Sequence, residues 1–451
     1  MTYTYLFYDL ETTGLNKAFN QIVQFAAIRT DMAFNELERH DIIIKPTLGI
    51  VPHPLATITH RTPFDRWHAG EPELSAITSI HAWLNTPGTI SLGYNTLSYD
   101  DEFLRFCFYR NLLPPYTHQY ANQCSRADLY PIAVLYFLYH QDTLRWPDGN
   151  LKLEHLIAHN HLTQGKAHTA MADVEACVAL AKHFAKQPNT WRYALDYFNK
   201  AVDTQRCQKE SPIALYLHGS LGMNHHFQIP VLSLGEHRHY KNQCLWLRLD
   251  HTDFCHITTD NFKELLWVIN KKLGEPGFIL PYKEKYSRLN EARAALTEKN
   301  ILWLSHHPIL LEEIRAHYLD YRYPDAPNTD LEAALYLKPF PDQAAQKQCQ
   351  QFHQAALYAK SAIIERIGTP HLQELAIRAL GRFDASLLSI KQQEIFNDYL
   401  THLDDAVDMK GERRFSKEAA WNQIHHIRAN MALDPEQIQL LEELSALLGV
   451  F

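Results

Sequence analysis

Near its N-terminus the chain reads Phe7-Tyr8-Asp9-Leu10-Glu11-Thr12-Thr13-Gly14. Asp9 and Glu11 close an aromatic run, Tyr3–Asp9, of the composition that strands favour. Side chains alternate along a strand, so Tyr3, Tyr5, Phe7, Asp9 and Glu11 fall on one face. Two carboxylates side by side repel each other, and a divalent cation relieves the repulsion. Their oxygens are hard ligands, suited to Mg²⁺ or Mn²⁺. An Asp-x-Glu triplet is common on solvated faces, so its weight depends on whether later segments of the chain bring further ligands.

Two further stretches supply acids and a base. In Gly93-Tyr94-Asn95-Thr96-Leu97-Ser98-Tyr99-Asp100-Asp101-Glu102 a short apolar strand runs into a turn and then a helix. Ser98 is a candidate cap, and acids in a first helical turn suit the macrodipole whether or not they bind a metal. The second stretch is Ala167-His168-Thr169-Ala170-Met171-Ala172-Asp173-Val174, leading into a helical composition. On one continuous helix His168 and Asp173 would be rotated apart by about 140°. They converge only if His168 precedes the helix and Asp173 lies in its first turns. A single His carries little weight among the 27 in this chain.

The order of these pieces resembles the DEDDh family of 3′→5′ exonucleases, which has an RNase-H-like core. The resemblance is strongest to its bacterial exodeoxyribonuclease I branch. It is carried by Gln24-Phe25-Ala26-Ala27-Ile28-Arg29-Thr30-Asp31, Gly93-Tyr94-Asn95, Asp100-Asp101-Glu102, Phe108-Tyr109-Arg110-Asn111, Leu153-Glu154-His155-Leu156 and the His168–Asp173 stretch. It implies a two-metal phosphodiesterase using two Mg²⁺ ions, with Mn²⁺ as a substitute. Asp9 would bridge the ions, Glu11 and Asp173 would complete the one that activates water, and Asp100 would hold the other. His168 would be the general base, its ordinary pKa near 6.5 being matched to neutral pH. Asp101 is the alternative to Asp100 as ligand, but the family pattern places the ligand directly after an aromatic, here Tyr99.

The resemblance implies substrate contacts less directly. Glu11, Thr12 and Gln24 would flank the terminal nucleotide, and Tyr116 and Tyr120 are candidates for stacking. Arg105 either guides the strand or forms an i,i+4 pair with Asp101. Lys152 stands where the family carries Arg before Leu-Glu-His-Leu, keeping the charge but losing the bidentate fork for phosphate. Lys200 and Tyr282-Lys283-Glu284-Lys285-Tyr286-Ser287-Arg288 mix bases and aromatics, as a single-strand groove requires.

The elements that must position these residues can be read from composition. With 451 residues and 46% apolar content, the chain has material for two or three domains with ordinary cores. Up to residue 187 strands and helices alternate: strands at Tyr3–Asp9, Ile22–Arg29, Asp41–Lys45 and Thr89–Gly93, helices at Glu73–Leu84, Asp100–Leu112, Ala127–Leu138 and Ala170–Lys186. Residues 1–187 are thus predicted to form an α/β unit with a mixed sheet flanked by helices, and the resemblance implies that this unit is the exonuclease core. Residues 190–340 hold short β-like runs and one predicted helix, Phe262–Asn270; the resemblance implies an SH3-like β-rich domain. Residues 345–451 read as a helical C-terminal domain, with Asp434-Pro435 a good helix start.

Seven scattered cysteines without a Cys-x-x-Cys pair argue against a disulfide framework or a zinc ribbon. The first strand begins almost at once, which leaves no room for a signal peptide. No apolar run approaches the ~18–20 residues of a membrane span. A cytoplasmic monomer is expected. The net charge of −8 does not exclude a nucleic-acid partner, because the guiding field is local. The expected activity is metal-dependent 3′→5′ degradation of single-stranded DNA to 5′-mononucleotides in repair and recombination. The resemblance also implies docking of the acidic, Phe-ending tail of single-stranded-DNA-binding protein, with Tyr193 a candidate contact. The alternatives are an RNA-trimming exonuclease and a silent single-strand-binding scaffold.

Overall fold

The computed structural model describes residues 2–162, 169–209 and 212–450. Its first sheet contains β1 (Thr4–Thr12), β2 (Ile22–Thr30), β3 (Glu36–Ile43), β4 (Thr89–Gly93) and β5 (Ser125–Asp128), in the order β3-β2-β1-β4-β5. The three early strands are antiparallel, whereas β4 and β5 run parallel to β1. Helices cover both faces, which is why β2 is buried along its whole length. Leu6, Tyr8 and Leu10 pack with the helices Glu73–Leu84 and Asp100–Arg110. Tyr5 and Phe7 pack on the other face with Leu129–Tyr139 and Ala170–Ala185. The period-two pattern of β1 therefore turns Asp9 and Glu11 toward the helix that carries Asp173.

β5 lies partly inside the stretch predicted as helix from Ala127. Four residues are too few to show alternation, and the helix begins only at Leu129, where Asp128 caps the Tyr130 N–H at 2.9 Å. The predicted boundary at 187–190 is the start of a helix, Pro188–Leu195, whose Trp191 is buried against Tyr5.

The second sheet, β6 (Ile213–Leu217), β7 (Gln228–Glu236), β8 (Gln243–Arg248), β9 (Val268–Lys272) and β10 (Phe278–Pro281), is antiparallel throughout, in the order β10-β6-β7-β8-β9. The predicted helix Phe262–Asn270 is helical only over Phe262–Leu265. Val268 and Ile269 are β-branched and pair with Leu247 and Trp246 of β8, so tertiary pairing overrides the helical reading. Two helices that the β-rich composition obscured, Glu291–His306 and Pro308–Leu319, bury Leu304 and Ile314 against Leu232 and Leu247.

The last third is helical. Phe352, Leu375 and Phe396 share a core with Phe19, Phe106 and Tyr109, and Ile424 and Leu441 share another with Val23, Ile58 and Trp67. Leu215 and Phe278 of the second sheet belong to the core that contains Phe7. Apolar interior thus crosses each compositional boundary, and the later parts are anchored to the first sheet by burial. Among the described residues no helix is long and apolar enough to cross a membrane.

Candidate active site

A cavity of about 310 Å³ opens at the end of β1, lined by Asp9, Leu10, Glu11, Thr59, Tyr94, Asn95, Tyr99, Asp100 and Asp173. Four of these are carboxylates from three separated segments. Asp9 and Glu11 come from β1. Asp100 opens its helix after the turn at the end of β4. Asp173 sits in the first turn of Ala170–Ala185, where Thr169 caps the Ala172 N–H at 3.3 Å.

Local chemistry explains why Asp100 arrives there. A Cβ at Gly93 would collide with the Tyr8 carbonyl, so only glycine lets β4 lie this close to β1. Asn95 then takes a left-handed conformation, φ 64°. The buried Asp128 carboxylate accepts the N–H groups of Asn95 at 2.8 Å and Leu97 at 3.1 Å, locking the turn. Burial pushes Asp128 up to about 6, although its three backbone bonds work the other way.

The four acids disturb one another. Burial, followed by the charges of Asp100, Glu11 and Asp173, pushes Asp9 well above the ordinary carboxylate range. Asp100 is pushed up by burial and then by Asp128 and Glu11. Such a set concentrates negative charge in one place, and its hard oxygens fit a divalent cation. Among the described residues no three His, Cys, Asp or Glu side chains stand as a closed metal cage. The fit rests on donor type and on mutual electrostatic strain.

Asp101 sits outside the cavity. It is fully buried and bonded to Arg105 at 2.8 Å, Arg126 at 2.6 Å and His118 at 2.8 Å. Despite burial, Arg105 and Arg126 hold it far below the usual carboxylate range. Arg105 is itself committed to Asp101, Glu102 and, at 3.5 Å, Glu275, so it takes the i,i+4 pairing. Its guanidinium lies 5.5 Å from the centre of the half-buried Tyr116 ring. The Thr12 hydroxyl is 2.9 Å from the Gly14 carbonyl and 3.0 Å from the Tyr99 hydroxyl at the cavity wall. Gln24 pairs in register with Glu11 and donates to Asp41 at 2.7 Å. Tyr120 is exposed, Lys152 is exposed with Glu154 at 3.6 Å, and Lys200 is exposed at a helix start; none of the three lines the cavity. His168 lies outside the described residues.

His60 is the residue that sequence reasoning passed over. It ends the helix Pro54–His60, pairs through Nδ1 with the Glu11 carboxylate, and places Nε2 at 2.8 Å from the Thr12 carbonyl. Burial works to lower its pKa, but Glu11 and the Thr12 carbonyl outweigh burial and leave it raised. No spacing marks it out among so many histidines. Asp128, by contrast, carried a legible signal, an Asp directly before an apolar helical run.

Residues 6–181 match the Exonuclease (RNase_T) family. Exodeoxyribonuclease I of Escherichia coli is 29% identical over 370 residues, covering 75% of this chain and 77% of that one. Its Haemophilus influenzae counterpart is 36% identical over 217 residues, 45% and 46% of the two chains. The fold matches E. coli exonuclease I in complex with a dA16 oligonucleotide, TM-score 0.88, 23% identity, 99% of each chain. It also matches exonuclease I from Methylocaldum szegediense, TM-score 0.85, 23% identity, 99% of each chain. Residues 6–181 thus match the exonuclease family, in a chain that resembles bacterial exodeoxyribonuclease I along most of its length.

Proposed function

We propose that this protein is a divalent-metal-dependent exonuclease that removes nucleotides from the 3′ end of single-stranded DNA, releasing 5′-mononucleotides in repair and recombination. The observation that carries this reading is the convergence of Asp9, Glu11, Asp100 and Asp173 on one cavity, where burial and mutual repulsion push Asp9 up. The oligonucleotide bound to E. coli exonuclease I supports the substrate class, and a zinc-bound form of that complex supports a divalent ion.

The four carboxylates would hold two Mg²⁺ ions, which when bound acidify water and offset charge on the leaving oxygen. The protein's own residues do the positioning. His60 bridges Glu11 to the Thr12 carbonyl and so fixes the outer acid of β1. Asp128 holds the turn that delivers Asp100. Tyr99, hydrogen-bonded to Thr12, forms a rigid wall against which a terminal sugar can rest. His168 is assigned by sequence alone to accept the proton of the attacking water on its imidazole. The acidic tail of single-stranded-DNA-binding protein is the proposed partner, supported by a structure containing that protein and exonuclease I.

Digestion of 3′- and 5′-labelled single strands with Mg²⁺, beside a matched RNA and an Asp173→Ala control, tests the reading. Stepwise loss from the 3′ end of DNA, absent in the control, is expected. Faster loss of RNA would move the assignment to RNA trimming. A strand bound and never cut would make the chain a binding scaffold.

A further inference from the structure

The second sheet holds a pair of thiols that the acid cavity does not use. Antiparallel pairing sets Glu236 of β7 opposite Cys244 of β8, and Cys244 opposite Lys271 of β9. Directly paired residues point to the same face of a sheet, so these three side chains form one row. The helix Lys200–Lys209 lies on that face. Its Gln208 donates to Glu236 at 2.7 Å, at one end of the row. Its Asp203 accepts from Lys271 at 2.7 Å, at the other end. Cys207 follows Asp203 by about one helical turn and directly precedes Gln208. It is therefore held over the middle of the row, which is Cys244.

Burial agrees with this placement. Cys207 is 8% exposed and Cys244 5%, and both belong to one apolar cluster with Trp246, two residues along β8 on the same face. The pair also sits at a joint. Asp203 accepts the Gly274 N–H at 2.7 Å, and Glu275 beside it reaches Arg126 at 3.3 Å and Arg105 at 3.5 Å. The helix that carries Cys207 thus meets both the second sheet and the turn that is pinned to the catalytic region.

A buried thiol far from any other is inert, because burial disfavours the reactive thiolate. Cys107 and Cys349 are of this kind, pushed up by burial to about 12 and about 11. Cys244 is held down instead, first by the Cys207 thiol facing it and then by Lys271, against burial, Glu236 and Asp203. The same contact pushes Cys207 up.

We propose that Cys207 and Cys244 are a redox-active dithiol, a site at which a hydroperoxide closes an intramolecular disulfide between the helix Lys200–Lys209 and β8. The Cys244 thiolate attacks one peroxide oxygen, the O–O bond breaks, and with hydrogen peroxide a sulfenic acid and water result. The Cys207 sulfur then attacks the sulfenic sulfur, the S–S bond forms, and hydroxide leaves as water with the Cys207 proton. Two thiols and one hydrogen peroxide thus give one disulfide and two waters, the sulfurs losing the two electrons that the peroxide gains. The bond fastens the helix to the sheet at the joint. This inference is independent of the exonuclease reading.

The test treats the full-length protein in EDTA with a few equivalents of hydrogen peroxide, then caps remaining thiols with N-ethylmaleimide in denaturant. Intact mass and non-reducing peptide maps are read. Five of the seven thiols should still be capped, with a peptide linking Cys207 to Cys244, and dithiothreitol should restore all seven. Cys255→Ser, which removes the exposed cysteine, should give the same linked peptide. Cys207→Ser should give none, and its Cys244, without a resolving thiol, should proceed to sulfinic acid. Seven capped thiols in the treated wild type overturn the proposal. So does a linked peptide joining other cysteines, or sulfinic acid at Cys244 of the wild type with no linked peptide. The wild-type map decides without any variant, so a variant that fails to fold cannot imitate either result.

Discussion

Asp100 and Asp101 are consecutive in the chain, both buried, and electrostatically opposite. Asp100 faces other acids and is pushed up; Asp101 faces Arg105, Arg126 and His118 and is held down. A second balanced node lies in the C-terminal region. There Glu332, 1% exposed, receives Arg382 and, at 2.9 Å, Arg414, and these cations hold its pKa low despite burial. Burial is common to all three acids, so burial alone does not mark a functional carboxylate. What differs is whether the protein supplies the countercharge. Where it does, the acid joins elements together; where it does not, a ligand must.

This contrast can be broken from either side. Asp9→Asn should lower metal-dependent hydrolysis at least a thousandfold, about 4 kcal/mol of barrier, as steady-state rates with Mg²⁺ would read. The same variant should melt higher than wild type in EDTA, because it removes a repelling charge. Glu332→Ala should do the reverse. Leaving Arg382 and Arg414 buried without their acid should cost about 3 kcal/mol in denaturant unfolding, with the rate per folded molecule retained.

His60→Ala sharpens the comparison, since His60 sets a countercharge against Glu11 at the cavity. Partners that orient a ligating carboxylate are typically worth ten- to a hundredfold. The Mg²⁺ concentration for half-maximal rate should rise about tenfold, with a smaller change at saturating metal.

The smallest effect is on pH. Asp9 and Asp100 bind protons more tightly folded than unfolded, because burial and mutual repulsion raise them above the usual value near 4. The folded state therefore holds more protons, and stability from these groups is lost as pH rises above that range. In EDTA the melting temperature should drop by a few degrees between about pH 5 and 8, and less in the Asp9→Asn variant. A melting curve independent of pH in both proteins would place the acids outside one shared field.

Legibility in the sequence tracked the range of the interactions. The strand face carrying Asp9 and Glu11 was readable because side-chain alternation is a property of the backbone alone. Helix Glu73–Leu84 was readable because its apolar period is local. The first three residues of β9 were misread as helix, since Val268 and Ile269 become a strand only through pairing with β8. The paired helices after residue 290 escaped notice because their neighbours are β-rich.

The sequence by itself determined which acids exist, their order, and the strand and helix starts that present them. Those depend on neighbours a few residues away. Only the tertiary structure decided which acids stay unbalanced. Asp100 and Asp101 differ in what packs against them from residues 9, 118 and 126, and Glu11 meets His60 from a distant part of the chain, a contact that no local pattern foretells. Charge compensation is a long-range contact, and it turned one of two adjacent aspartates toward the cavity and the other into the frame around it.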